Sequence, residues 1–223
     1  MANFRTHLGV ASVGGASVAQ AGWQAGQWGG WQSLVVAILV AFGGILPDID
    51  ADQSQAIRLI FNLLAVVAVV LAVLVLQHRV TPAYLFAACG GIYLGVRYLA
   101  GAIFARFTVH RGLWHSLLAA SISGLSTAAI SFSLLDQPER LAWIHGLAMT
   151  LGFVIHLMLD ELYSVDLTGA RFKRSFGTAL KLFSWQSPGS ALMLALISMH
   201  LLSWLPSFSV LRQLVMQGVA LWH

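Results

Sequence analysis

From Ile57 to Gln77 the chain carries only Arg58, Asn62 and Gln77 as polar side chains. A helix needs about 20 such residues to cross the hydrocarbon core of a bilayer, and one that is apolar all round has no face to offer water. Comparable runs occupy Pro82–Ala105, Leu117–Leu135, Leu141–Tyr163 and Pro188–Leu205. Hydrophobic residues make up 58% of the chain and charged residues 9%. A soluble domain carries roughly 25% charge, so a water-facing surface cannot be assembled from this inventory. Disorder and coiled coil are excluded on the same ground. The single cysteine, Cys89, lies in an apolar run and has no intrachain partner, which excludes a disulfide-stapled fold. The expectation is an all-α, polytopic transmembrane helix bundle with about five to seven membrane-embedded helices, forming one domain over residues 1–223.

The remaining apolar segments are shorter. Trp31–Leu46 ends at Pro47, because a residue before proline is biased away from helix. His7–Gly22 is rich in Gly, Ala and Ser and contains Gly15-x-x-x-Ala19, a spacing that lets a helix approach its neighbours closely. Phe208–Trp222 is apolar with Arg212 and Gln213 near its start and is expected along the interface. Thr81-Pro82 and Ser187-Pro188 each place a hydroxyl before a proline at a helix start. Asp136-Gln137-Pro138-Glu139 reads as a polar turn. Ala19-Gln20-Ala21 has the form of a leader cleavage site, but the stretch before it is not strongly apolar, and the segment is expected to be retained.

Threading the spans alternately places Arg5, Arg58, Arg106, Arg111, Arg171, Lys173, Arg174 and Lys181 on one side of the membrane. Only Arg79, Arg140 and Arg212 fall on the other. The positive-inside rule makes the first side cytoplasmic. The net charge of +4 then reports topology and contact with anionic headgroups, and no nucleic-acid partner is expected. Phe172, Phe176, Leu180 and Phe183 recur at helical spacing, with Arg171, Arg174 and Lys181 on another face. Arg171–Phe183 is therefore expected to be a basic amphipathic helix on a leaflet of anionic lipid. A basic loop that only sets topology is the simpler reading, and the two are compatible.

The same threading gathers His7, Asp48, Asp50, His110, His115, His156 and Asp160 at the cytoplasmic ends of different spans. Imidazole and carboxylate without cysteine suit Zn first, with Mn or Fe also compatible. His156 and Asp160 are spaced i,i+4, so they share one helix face at a depth where ionisable groups are costly. The competing reading is a hydrogen-bonded pair that joins helices. In Asp48-Ile49-Asp50-Ala51-Asp52 the carboxylates alternate with apolar residues, and close negative charges repel unless a cation relieves them. Here the competing reading is a solvated loop, with Asp52 the one most simply exposed. In His110-Arg111-Gly112-Leu113-Trp114-His115-Ser116 the glycine marks a turn with a histidine on each side, although two interfacial histidines beside a tryptophan anchor would look the same. His7 gains weight only from this company. Arg97, within a span, has the geometry to hold a substrate oxyanion and equally to pair with Asp160 or Glu161. Asn62 reads as polar glue between helices. His78, His145, His200 and His223 fall outside the group.

Thr6-His7-Leu8-Gly9, Leu46-Pro47-Asp48-Ile49-Asp50, His110-Arg111-Gly112-x-x-His115-Ser116 and His156-Leu157-x-Leu159-Asp160 occur in an order that resembles the YdjM-like family of bacterial inner-membrane metal-dependent hydrolases. The likeness covers most of the chain, and its motif order is distantly similar to that of zinc-dependent phospholipases C. Trp114 departs from the small or hydroxylated residue expected at its place. The resemblance implies that His7, Asp48, His110, His115, His156 and Asp160 are metal ligands and that Asp50 is a ligand or the base for an attacking water. It also implies hydrolysis of a lipid or lipid-linked phosphoester at the cytoplasmic face of the inner membrane. Two other classes stand beside it. A divalent-cation transporter would use intramembrane His and Asp, but these gather on one side only. A purely structural membrane protein would use them as helix glue.

Overall fold

The computed structural model describes residues 3–50, 55–103, 115–166, 171–172, 196 and 198–220. Among the described residues the α-helices are α1 Phe4–Gln24, α2 Gly30–Gly43, α3 Gln55–Leu76, α4 Pro82–Leu94, α5 Leu117–Ala129, α6 Glu139–Leu162 and α7 Phe208–Ala220. The architecture is an all-α helical bundle. Among the described residues, four stretches are long and apolar enough to cross a membrane: Ile57–Leu76, Pro82–Ile103, Leu117–Leu134 and Glu139–Leu162, with Gly30–Gly43 apolar but shorter. Of the expected span Pro188–Leu205, residues 188–195 and 197 lie outside the described residues.

The chain divides into two compact units, Met1–Pro47 with Leu113–His223, and Asp48–Gly112. In the first, α6 is the central element. It packs against α1, α2, α5 and α7, and twelve of its side chains or glycines, from Ala142 to Asp160, are buried. On α1 the buried positions are His7, Ala11, Gly15, Ala19 and Gly22. These fall on one face of a 3.6-residue helix, and all but the histidine are small, which brings α1 against α2 at backbone distance. A Cβ on Gly15 would lie 2.7 Å from Ala37 O. Below the level of His7 the packing is apolar, through Ala19, Val36, Val40, Ile144 and Ala148.

Helix α2 stops at Gly43, with Gly44 as its C-cap. A 3₁₀ turn, Leu46–Asp50, follows and carries Pro47, Asp48 and Asp50. Asp136, at φ 50°, turns the chain between α5 and α6, so the polar Asp136–Pro138 segment is the tight connection its sequence suggests. Beyond α5 a π-helical segment, Ile130–Leu134, presents Ser131 to His145 at 2.7 Å. Helix α7 lies beside α6 through Trp143, whose indole N–H donates to Ser207 O at 3.0 Å and whose ring sits 5.3 Å from that of Phe208.

The second unit holds α3 and α4, the latter continued by a π-helical segment, Gly95–Ala100. Tyr93 and Asn62 join the two helices through a 2.5 Å hydrogen bond, the helix-joining role expected of Asn62. Thr81 is the N-cap of α4 with Pro82 at its first position, although the Thr81 hydroxyl makes no capping bond. Most of the remaining surface is aliphatic and outward-facing, as in Leu63, Val67, Val70 and Leu74.

One expectation needs correction. Arg171 and Phe172 do not begin a helix. They are extended and pair antiparallel with Val165 and Asp166, in the register Val165↔Phe172 and Asp166↔Arg171. Valine and phenylalanine both favour extended backbone, and here a local partner strand overrides the helical spacing. Residues 173–183 of that segment lie outside the described residues.

Candidate metal centre

The alternating directions of α1, α2, α5 and α6 bring the starts of α1 and α5 to the same end as the finishes of α2 and α6. His7 stands in the first turns of α1, just after the Asn3 cap, whose side chain accepts from Thr6 N at 2.8 Å. His115 directly precedes Ser116, the N-cap of α5, whose hydroxyl accepts from Ala119 N at 3.2 Å. His156 and Asp160 occupy successive turns near the end of α6. Caps fix the two entering chains, and the i,i+4 spacing aligns the pair on α6.

These four side chains converge. His7 Nε2 is 3.2 Å from Asp160 Oδ1. His115 Nε2 and His156 Nε2 each lie 3.7 Å from Asp160 Oδ2. The rings of His7 and His156 stack, with centroids 3.7 Å apart and planes within 12°. His115 meets His156 edge-on at 5.7 Å. Exposure is 1% for His7, 4% for His115, 0% for His156 and 4% for Asp160, so bulk water does not solvate the carboxylate.

Burying a carboxylate is costly unless a positive partner accompanies it. The spacing suits a small cation. Ligand atoms of a tetrahedral zinc site, with bonds of about 2.0–2.1 Å, stand about 3.3 Å from one another. The observed separations bracket that edge, whereas two of the three are too long for good hydrogen bonds. Ligand atoms of His7, His156 and Asp160 all lie within 4.8 Å of one another. His7 Nδ1 is buried without a hydrogen-bond partner among the described residues. The donor set is nitrogen and oxygen, which fits Zn, Mn or Fe.

The orientation of His156 has a cause outside the cluster. Its Nδ1 lies 2.8 Å from Gly44 O. A carbonyl only accepts, so Nδ1 carries the proton and Nε2 presents its lone pair toward Asp160, the arrangement that fixes a ligating imidazole. Gly44 reaches this position because α2 and α6 touch through glycines. A Cβ on Gly43 would collide with Met149 O, and one on Gly152 with Val40 O. No motif in the sequence singles out Gly43, Gly44 or Gly152; glycines on two apolar helices are the available signal.

The remaining named residues stand as follows. Asp48 is half-buried in the Leu46–Asp50 turn and begins the second unit. Asp50 shares that turn, and its side chain lies outside the described residues, as do His110 and Asp52. Arg97 is half-buried in the π-helical segment of the second unit, its guanidinium 5.1 Å from the centroid of the Tyr98 ring. His145 is bonded to Ser131 and sits about 16 Å along α6 from His156. His78 and His200 are exposed, and His223 lies outside the described residues.

The family model described as YdjM inner membrane protein matches residues 1–172. No curated protein and no solved structure matches the chain.

Proposed function

The chain belongs to the YdjM inner membrane protein family, and from that premise we propose that it is a membrane-bound, metal-dependent hydrolase of a lipid or lipid-linked phosphoester at the cytoplasmic face. The observation that carries the proposal is the convergence of three imidazoles on the buried carboxylate of Asp160 at ligand-to-ligand distances. His7, His115, His156 and Asp160 would hold the ion. When bound, a divalent metal of the zinc class polarises a phosphoryl oxygen and lowers the pKa of water. Asp160 neutralises charge at the site, the Gly44 carbonyl keeps His156 in its ligating tautomer, and the apolar layer of Val36, Val40 and Ala148 keeps water from entering along the bundle. That layer also offers a cation no relay toward the far end, which favours hydrolysis over transport.

Asp50 is the proposed base, Asp48 and His110 are further proposed ligands, and Arg97 is the proposed partner of phosphoryl oxygens. The roles of Asp48, Asp50 and His110 follow the family resemblance, under which Asp50 is a ligand or the base, and that of Arg97 follows guanidinium chemistry; all are open to test by single variants. Zinc is the proposed metal, and anionic headgroups are the proposed partners of Arg171–Phe183.

The decisive measurement is metal content of detergent-purified protein. The parent is expected to retain zinc through gel filtration, and a His156→Ala, Asp160→Ala double variant is expected to retain none while keeping its helix content. A parent that takes up no divalent metal would return the cluster to helix packing. The sidedness has its own test. A reporter inserted between Asp136 and Pro138 should read periplasmic, from the excess of basic residues on the opposite loops. A cytoplasmic reading there would move the site to the outer face.

A further inference from the structure

Helix α6 carries α2 on one flank and α5 on another. Between them, against Met149, runs a cavity of about 240 Å³. Phe42 and Leu46 line one wall, and Ala119, Ile122 and Thr127 line the other. An apolar cavity of ~150 Å³ already accepts benzene, so this one has room for a length of hydrocarbon rather than a single water. Two of its three lining hydroxyls are bonded back into their own helix. Ser123 Oγ donates to Ala119 O at 2.8 Å, and Thr127 Oγ1 donates to Ser123 O at 2.8 Å. Both hydroxyls are satisfied within α5 and leave carbon on the wall.

Two placements identify the occupant. The cavity lies within the candidate span Leu117–Leu134, and Phe42, Leu46, Ser123, Ser126 and Thr127 are only half-buried. Its open side is therefore at bilayer depth, where the surrounding solvent is lipid chain. Its Leu46 and Ala119 end is the one nearer the His/Asp cluster. Ala119 lies in the first turn of α5, whose N-cap Ser116 directly follows His115, and Thr127 lies about 12 Å further down. Leu46 packs with Ala119, Phe153 and Leu157, and the last two flank His156 in the sequence of α6.

We propose that this groove seats one hydrocarbon chain of the substrate, holding a lipid phosphoester with its phosphate at the His/Asp cluster and its chain descending along α5. The inference rests on the hydrolase reading for the identity of the headgroup, and it makes the substrate a lipid rather than a soluble phosphoester.

The test uses full-length protein in phosphatidylcholine nanodiscs and two synthetic phosphatidic acids, one with a diazirine near the ester end of a chain and one with it near the methyl end. After illumination, the first should label the Leu46 and Ala119 level and the second the Thr127 level. Filling the groove by Ser126→Phe should lower both yields about tenfold, since a site loses 10- to 200-fold for modest misfits in an apolar pocket. The same variant should keep the parent's zinc and helix content, so that the loss reads on the groove and not on the fold. Ser123→Phe provides a second filling should the first variant fold poorly. Labels without depth order, or yields indifferent to both fillings, would overturn the groove. Failure of the hydrolase reading is separately visible, as a parent that holds no zinc yet still labels in depth order.

Discussion

Asp50→Asn is expected to reduce turnover of a phosphodiester by roughly 10²–10⁴-fold while leaving bound zinc close to the parent's, the range typical for losing a general base. The substitution keeps the size of the side chain and removes its charge and its basicity. Asp50 is chosen because it ends the Leu46–Asp50 turn, where the buried Ile49 anchors the backbone between two carboxylates. The companion Asp48→Asn separates base from ligand. Loss of a ligand lowers metal content and activity together, because binding needs the deprotonated donor. Activity against bis(p-nitrophenyl) phosphate and metal content by mass spectrometry, taken on the same samples, resolve the two roles. An Asp50→Asn protein equal to the parent on both counts would remove Asp50 from the mechanism.

Periodicity and polarity made the helices and part of the cluster legible. Along Ile57–Gln77 nothing but a spanning helix satisfies the backbone in lipid, and α3 occupies that run. His156 and Asp160 were legible as a pair because i,i+4 spacing on an apolar helix admits few explanations, and they do point to one centre. His7 carried no signal of its own. Its meaning depends on α1 running back to the level of Gly44, a tertiary fact that threading the spans anticipates only in outline. What sequence could not convey lies in the backbone. The carbonyl that orients His156 belongs to a glycine, and every residue has a carbonyl. The π-helical segments at Gly95–Ala100 and Ile130–Leu134 shift Arg97 and Ser131 relative to a regular helix, and no residue pattern announced them. Arg171 and Phe172 were read as helical because aromatic spacing is visible over a window, while a two-residue ladder is decided by whichever strand lies opposite.

The glycine crossing supplies the second large effect. Gly152→Ala places a methyl group against Val40 O and within 2.9 Å of Gly44 N, and neither backbone atom can rotate away. Helices α2 and α6 must separate, at a cost of about 1–3 kcal/mol for overpacking. The His156 Nδ1 contact to Gly44 O sits one turn above Gly152 at 2.8 Å. A shift of even ~0.8 Å takes it beyond hydrogen-bond range, and the imidazole loses the acceptor that sets its tautomer. Loss of such an outer partner typically weakens metal binding by about 10–100-fold. Zinc affinity of Gly152→Ala, measured by competition with a chromophoric chelator in detergent, should fall by that factor although no ligand has changed. Gly9→Ala is the control, since a Cβ there meets nothing within 4 Å. Parent-like affinity in a folded Gly152→Ala protein would mean that the Gly44 carbonyl does not orient His156. A loss in both variants would point to general destabilisation of α1 and α6 instead. Only the selective loss ties the close approach of two apolar helices to the chemistry at their end.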